Sequence, residues 1–374
     1  MTDGLDPSRV RETTGGDLLV GVDIGGSKIA VLVVDPALEV CGRLVVPTPV
    51  GAPDTAADHI ATTIAAALEA AGTTIDSVGA VGVGVPGRVD PLAGVVSLAV
   101  NLGWQRLPLR DQLEQRLRVP CAIENDVRAA AAGIRDRRVL GDVEDFVYLS
   151  IGTGISAGVV LRGELYRGTR GLAGEVGHIV VDANGPRCSC GLRGCLEVMA
   201  SGPAIARFAE DAIQAGRQSA MGSRATVTAV DVYAAAAGGD QVAAEIVAAA
   251  GRALARAIHA LVMTYDVKRV VVGGGVAGAG WAFLESIETE LDATRASSEL
   301  AAEMLGPGIV ELLPDGSDTG AWGAITVAKA LRQQQGGDVA VDPQPPVIAG
   351  GQLTGAIRGS AERAKEVVAR DSLT

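Results

Sequence analysis

The chain has 374 residues, 48% apolar and 20% charged, with 50 glycines and 3% aromatics, a composition that fits a globular protein of two ordinary domains and excludes a disordered one. A net charge of −12 and the lack of a basic stripe argue against a nucleic-acid partner, and a phosphate-handling site would need local positive charge or a metal. No uninterrupted apolar run is long enough for a membrane span, and Met1 to Asp17 lack the apolar stretch of a signal peptide, so the expectation is a cytoplasmic protein without a membrane partner.

In chain order, residues 1–17 read as a disordered tail. Leu18 to Val22 is an apolar run that enters Asp23-Ile24-Gly25-Gly26-Ser27-Lys28, and Ile29 to Val34 leaves it: strand, glycine turn, strand. Asp58 to Ala71 has helical spacing. Val78 to Val85 reads as a buried strand that breaks at Pro86-Gly87. Leu107 to Leu117 reads as an amphipathic helix and Val119 to Ile123 as a short strand. Glu124-Asn125-Asp126 then opens an Ala-rich helix with residues suited to a helix start. The pattern restarts at Phe146 to Ile151, Gly152-Thr153-Gly154 and Ile155 to Leu161, a weak internal repeat that predicts two lobes of similar design. Ser201 to Ala260 is mostly helical, Arg269 to Val272 is a strand running into Gly273-Gly274-Gly275, and Asp318 to Leu331 is a final helix.

The fold class expected is α/β in two lobes. Residues 18–135 form the first lobe, completed by the helix near 318–332, and residues 136–317 form the second. Residues 333–374 change composition and read as a flexible tail, with a short helix near Ala361 to Ala369.

Of five cysteines, Cys41 and Cys121 sit alone in apolar surroundings and are expected in the core. His178, Cys188, Cys190 and Cys195 are spaced as a closed set of zinc ligands. Three thiolates and an imidazole fill a tetrahedron and leave no open position, so the zinc would be structural.

Small residues in the turn at Asp23 to Lys28 let backbone N–H groups approach phosphate oxygens. Asp23 suits Mg²⁺, directly or through water, and Lys28 suits phosphate charge. A strand, not a helix, follows the turn, so it is not a Walker loop. Gly152-Thr153-Gly154 offers a second such turn, and Gly273-Gly274-Gly275 a third at a strand end where α/β proteins place ligands. Asp126, at a helix start, is a candidate general base. Zinc binding would draw Glu175, His178 and Glu197 together as candidate partners for sugar hydroxyls.

These motifs, with Gly84-Val85-Pro86-Gly87, Asn101-Leu102-Gly103-Trp104 and Gly171 to His178, together resemble the ROK family of repressors and sugar kinases. The resemblance runs in order from about residue 18 to 330. It implies an actin-like, ribonuclease H-like ATPase fold whose two lobes flank a cleft, and transfer of the γ-phosphoryl of ATP to a hexose, glucose foremost, usually at C6. N-acetylglucosamine, N-acetylmannosamine and mannose are the alternative acceptors. The resemblance makes Asp126 the base and Asn101, Asn125, Glu175, His178 and Glu197 sugar contacts. It assigns Asp23, Gly25, Gly26, Ser27, Lys28, Gly152, Thr153 and Gly154 to the phosphates and Mg²⁺, and Gly273, Gly274 and Gly275 to adenosine. It also implies a homodimer.

Family repressors carry a helix-turn-helix before the first strand, and the 17 non-basic residues before Leu18 disfavour that role. A sugar-responsive protein without catalysis is the other alternative. Two departures from the family pattern carry expectations. Ser156 and Ala157 stand where family kinases often have more glycine and would crowd the phosphates. Arg128 would add charge near the base.

Overall fold

Runs rich in Val, Ile and Leu build the first sheet. Its strands are β1 (Leu18–Ile24), β2 (Lys28–Val34) and β3 (Val40–Pro47), then, after helix α1 (Ala56–Ala70), β4 (Val78–Val85). A small three-stranded sheet follows, β5 (Arg88–Asp90), β6 (Val95–Ala99) and β7 (Trp104–Leu107). Helix α2 (Leu109–Leu117) then leads to β8 (Cys121–Asn125), the fifth strand of the first sheet. The computed structural model describes residues 16–336 apart from 50, 52, 315 and 316. Most of the expected N-terminal tail and the helix near 361–369 lie outside the described residues. The chain divides into residues 1–333 and 334–374, and of the second unit only 334–336, the end of the last helix, are described.

Helix α3 (Asp126–Asp136) leads to the second sheet, β9 (Phe146–Ile151), β10 (Ile155–Leu161) and β11 (Glu164–Tyr166). Helices α4 (Leu196–Ala200), α5 (Gly202–Gln214), α6 (Ala229–Ala237) and α7 (Gln241–Tyr265) follow, then β12 (Arg269–Gly273), α8 (Trp281–Ser297), α9 (Glu299–Met304), β13 (Val310–Leu312) and α10 (Thr319–Gly336). The strand orders are β3-β2-β1-β4-β8 and β11-β10-β9-β12-β13. Each sheet has a central first strand, an antiparallel meander on one side and two parallel strands on the other. The repeat read from two glycine turns thus extends through both whole sheets.

Strand alternation sets the cores. Val20, Val22 and Ile24 face one way, onto Ile60, Ile64 and Leu68 of α1. Leu19, with Leu32, Val34 and Ala80, faces the other way, onto Ala321, Ile325 and Ala328 of α10. The last helix therefore covers a face of the first sheet. It lies so close that a Cβ on Gly82 would stand 2.0 Å from the Ala324 carbonyl oxygen. Helix α3 packs Val127, Ala131 and Ile134 against Phe146 and Tyr148 of the second sheet, so it ties the two sheets together.

Helix α7 is the described helix long and apolar enough to cross a bilayer, but 56% of its most apolar window is buried. Leu254, Ile258 and Leu261 place it in the core of the second sheet's helical layer. Cys121 is buried as expected, whereas Cys41 is only half-buried, because β3 is an edge strand.

Candidate active site and metal loop

The first glycine turn is a tight hairpin. Gly25 N donates to Lys28 O at 2.8 Å, and Thr48, beyond β3, donates its hydroxyl to Gly25 O at 2.8 Å and its N–H to Ser27 O at 3.0 Å. Gly26, Ser27 and Lys28 are exposed at its tip. The second hairpin closes with Gly152 N donating to Gly154 O at 3.0 Å and leaves Thr153 exposed. The third turn lies beside it, with Gly275 N 3.9 Å from a Cβ position on Gly152.

Between the sheets is a cleft of about 920 Å³. Of the sequence candidates, Asp23, Ser27, Lys28, Asp126 and Gly273 to Gly275 line it. Asp23 Oδ1 and the Asp126 Cα both lie within 3.6 Å of the point where Gly84 would carry a Cβ. Burial, then the neighbouring Asp126 charge, raises Asp23 to about 7, with Asp318 adding to the rise and Lys28 opposing it. A carboxylate that ionises so reluctantly gains most from a nearby cation. The hard oxygen donors here fit Mg²⁺.

The N-terminus of α10 abuts Asp23. A Cβ on Gly320 would stand 2.2 Å from Asp23 Oδ2, so only glycine admits the carboxylate there. Sequence reading missed this end of the helix, along with Arg43, Tyr148 and Ser150, all of which line the cleft. Arg43 forms an ion pair with Asp318 at 2.6 Å. Burial raises the pKa of Tyr148, and hydrogen bonds to Ser150 and Thr319 offset part of the rise. The start of α10 was legible as a helix boundary, but not as part of a site formed with β1.

Asp126 is held from one side. Its Oδ1 accepts from Asn125 Nδ2 and from Val127 N, both at 2.9 Å. Among the described residues, no side-chain or backbone partner is seen at its Oδ2 beyond the N–H of Asp126 itself. Burial raises its pKa to about 6; the backbone N–H of Val127 and the charge of Arg128 oppose the rise, and Glu175 adds to it. A base poised near 6 is ionised at neutral pH and still accepts a proton readily. Asn125 is committed elsewhere. Both of its amide hydrogens are used, on Asp126 Oδ1 and Gly87 O, and its Oδ1 caps α3 by accepting from Arg128 N.

Of the sugar candidates only Asp126 lines the cleft; Asn101, Asn125, Glu175, His178 and Glu197 do not. Glu175 is near enough to act on Asp126. Glu197 Oε2 accepts from Ile155 N at 3.1 Å, just past the second hairpin. Asn101 is exposed in the turn between β6 and β7.

His178, Cys188, Cys190 and Cys195 converge, with their ligand atoms all within 4.8 Å of one another. A tetrahedron with bonds of about 2.3 Å to sulfur and about 2.05 Å to nitrogen has edges of about 3.8 Å (S–S) and about 3.6 Å (S–N). Cys190 Sγ and Cys195 Sγ are 3.6 Å apart, and Cys188 Sγ and His178 Nδ1 are 3.6 Å apart. The set fits zinc and leaves His178 Nε2 outside it.

Neither Ser156 nor Ala157 is among the residues lining the cleft. Ala157 is fully buried in the core, and the Ser156 hydroxyl donates to Gly174 O at 3.3 Å. Arg128 is directed away from the cleft and pairs with Glu124, although its charge still lowers the pKa of Asp126.

The chain is similar to known proteins over most of its length. The ROK family pattern matches residues 19–331. A glucokinase of Halalkalibacterium halodurans is 34% identical over 73% of this chain and 85% of its own. A putative xylose repressor of Caldicellulosiruptor is 37% identical over 59% of this chain and 56% of its own. The structure of a ROK family glucokinase from Streptomyces griseus in complex with glucose and AMPPNP superposes with a TM-score of 0.69 at 33% identity, over 84% of this chain and 99% of that one.

Proposed function

The chain belongs to the ROK family and is a hexose kinase of it, and we propose that it transfers the γ-phosphoryl group of ATP to the C6 hydroxyl of a free hexose, glucose foremost. The observation that carries this reading is Asp126. One of its carboxylate oxygens accepts from two neighbours, which orients the other, and it lines a cleft together with Asp23 and Lys28.

In the proposed step, Asp126 Oδ2 takes the proton of the sugar hydroxyl as that oxygen forms its bond to the γ-phosphorus. The bond from the γ-phosphorus to the β,γ-bridging oxygen breaks, and ADP leaves with the electron pair. Such transfers depend on positioning and charge stabilisation more than on covalent chemistry. The hairpins at Gly25 to Lys28 and Gly152 to Gly154 would cradle the phosphates, and Gly273 to Gly275 the adenosine side. Asp23 would hold Mg²⁺, which when bound neutralises charge on the phosphates. His178, Cys188, Cys190 and Cys195 would hold a structural zinc that fixes the loop bearing Glu175, with Glu197 just past Cys195.

Asn101, Glu175, His178 and Glu197 remain the proposed sugar contacts, and Asn125 acts chiefly by orienting Asp126. The lobes would divide near residue 135, with α10 completing the first. The test is coupled ADP release with Mg-ATP and a panel of glucose, mannose, N-acetylglucosamine and N-acetylmannosamine. Turnover should be highest with glucose and be lost in Asp126→Asn. No turnover on any hexose would overturn the reading.

A further inference from the structure

Among the described residues, Glu124 and Arg128 form the one ion pair with both side chains buried, at 1% and 3% exposure. Burying two charges is costly unless every polar atom finds a partner, and here they do. Glu124 Oε1 accepts from Arg128 Nε at 2.8 Å and from Asn125 N at 2.9 Å, and Oε2 accepts from Arg167 Nε at 2.6 Å. The other two guanidinium nitrogens of Arg128 donate to the Gly171 carbonyl and, at 3.3 Å, to the Val89 carbonyl.

The network joins four segments: β5, the end of β8, the first turn of α3, and residues 167–171. The last of these leads directly into Glu175 and His178. Asp126 lies between Glu124 and Arg128 in sequence. One buried salt bridge therefore fixes both the base and the start of the loop that would hold the acceptor. The planar fork of arginine serves three acceptors in three directions, which a lysine ammonium on a single stem cannot reproduce.

We propose that Arg128, with Glu124 and Arg167, is a positioning residue for the acceptor sugar, holding the loop from Arg167 to His178 in register with Asp126. The inference rests on the kinase reading above. It assigns the network to placement of the sugar loop, and not to stability alone or to the nucleotide.

Three variants separate these roles. Arg167→Ala removes the exposed end of the network, since Arg167 is 48% exposed. It should raise the KM for the sugar about tenfold with the KM for ATP within about twofold, and it should lower the melting temperature by several degrees, because Glu124 Oε2 loses its partner. Arg128→Lys should raise the sugar KM further. The double variant Glu124→Met, Arg128→Met replaces the buried pair by apolar side chains, which are often as stable; it should regain melting temperature but keep the raised sugar KM.

Recovery of the sugar KM together with stability in the double variant would overturn the proposal, as would equal shifts in both KM values. If either core variant fails to fold, Arg167→Ala alone decides, and an unchanged sugar KM there refutes it. If the wild-type protein turns over no hexose, the kinase reading fails separately, and calorimetric glucose binding replaces turnover. Weaker glucose binding in Arg167→Ala with AMPPNP affinity unchanged then supports the proposal; equal glucose affinity, or none in the wild type, overturns it.

Discussion

The two five-stranded sheets share one plan yet hold different chemistry at the same place. Asp23 in β1 pairs with Ala30 and Gly84. Ser150 in β9 pairs with Ser156 and Gly273. Each is the last strand residue but one before its glycine hairpin, and both line the cleft. The repeated plan thus sets a carboxylate against a hydroxyl. The first sheet also carries Lys28 at its hairpin, where the second has no charge at Gly152 to Gly154. Symmetry supplies the frame of the cleft, and substitutions on one half supply its charge.

The largest effect should come from the group that neither hairpin carries. Asp126→Asn should lower kcat by about 10²- to 10⁴-fold while leaving the fold intact, as read by melting and steady-state rates. Retained activity would move the base elsewhere. The next test compares the twin positions. Asp23→Asn should cost about 10²-fold in kcat and Ser150→Ala less than about tenfold, as expected if charge stabilisation of the phosphates comes from the carboxylate side. Equal losses would mean that both halves share the chemistry.

Among the described residues, the candidate metal site belongs to the second half alone. Elemental analysis should find about one zinc per chain, and Cys190→Ser should raise the sugar KM by about tenfold with the KM for ATP unchanged. Parallel shifts in both constants would disconnect the loop from the sugar.

The smallest effect is one of pH, and it has opposite signs for activity and stability. Activity should rise through a limb centred near pH 6 as Asp126, raised to about 6 by burial, becomes ionised. Asp23, at about 7, is also raised above its ordinary 3.8. Between pH 4 and 7 the folded chain then holds more protons than the unfolded one, so stability is full at the acid end and is lost as pH rises. Melting of the protein without ligands should fall by a few degrees or more between pH 5 and 8, and Asp126→Asn should flatten that fall. A melting temperature that rises over this range would contradict the burial of these carboxylates.

Much of this was legible in local sequence. The candidate metal ligands His178, Cys188, Cys190 and Cys195 lie within one short stretch, and its loops bring such neighbours close. The hairpins announced themselves by glycines between apolar runs. Short strands such as β5, β11 and β13 gave no such signal, since three residues show no periodicity. Thr319 and Gly320 were invisible as site residues because Asp23 meets them only after the chain returns from its far end. The family resemblance made Asn125 a sugar contact; its type gave no sign that its amide bonds to Gly87 and Asp126. Arg128 read as a charge near the base; its i,i+4 spacing from Glu124 was a usable signal of that pair, but nothing nearby in sequence revealed Val89 and Gly171 as its other acceptors.

Helix α10 gives the order of assembly an unusual shape. The contact from residue 82 to residue 324 means that the first sheet begun is the last one finished. At roughly 5–20 residues per second of synthesis, its strands leave the ribosome and wait on the order of ten seconds or more for their cover. Through that interval Leu19, Leu32, Val34 and Ala80 present a bare apolar face, while the second sheet gathers helices α4 to α9 from nearby chain. A transcript truncated before Thr319 would release a protein whose later half is closed and whose earlier half is a target for chaperones and proteases.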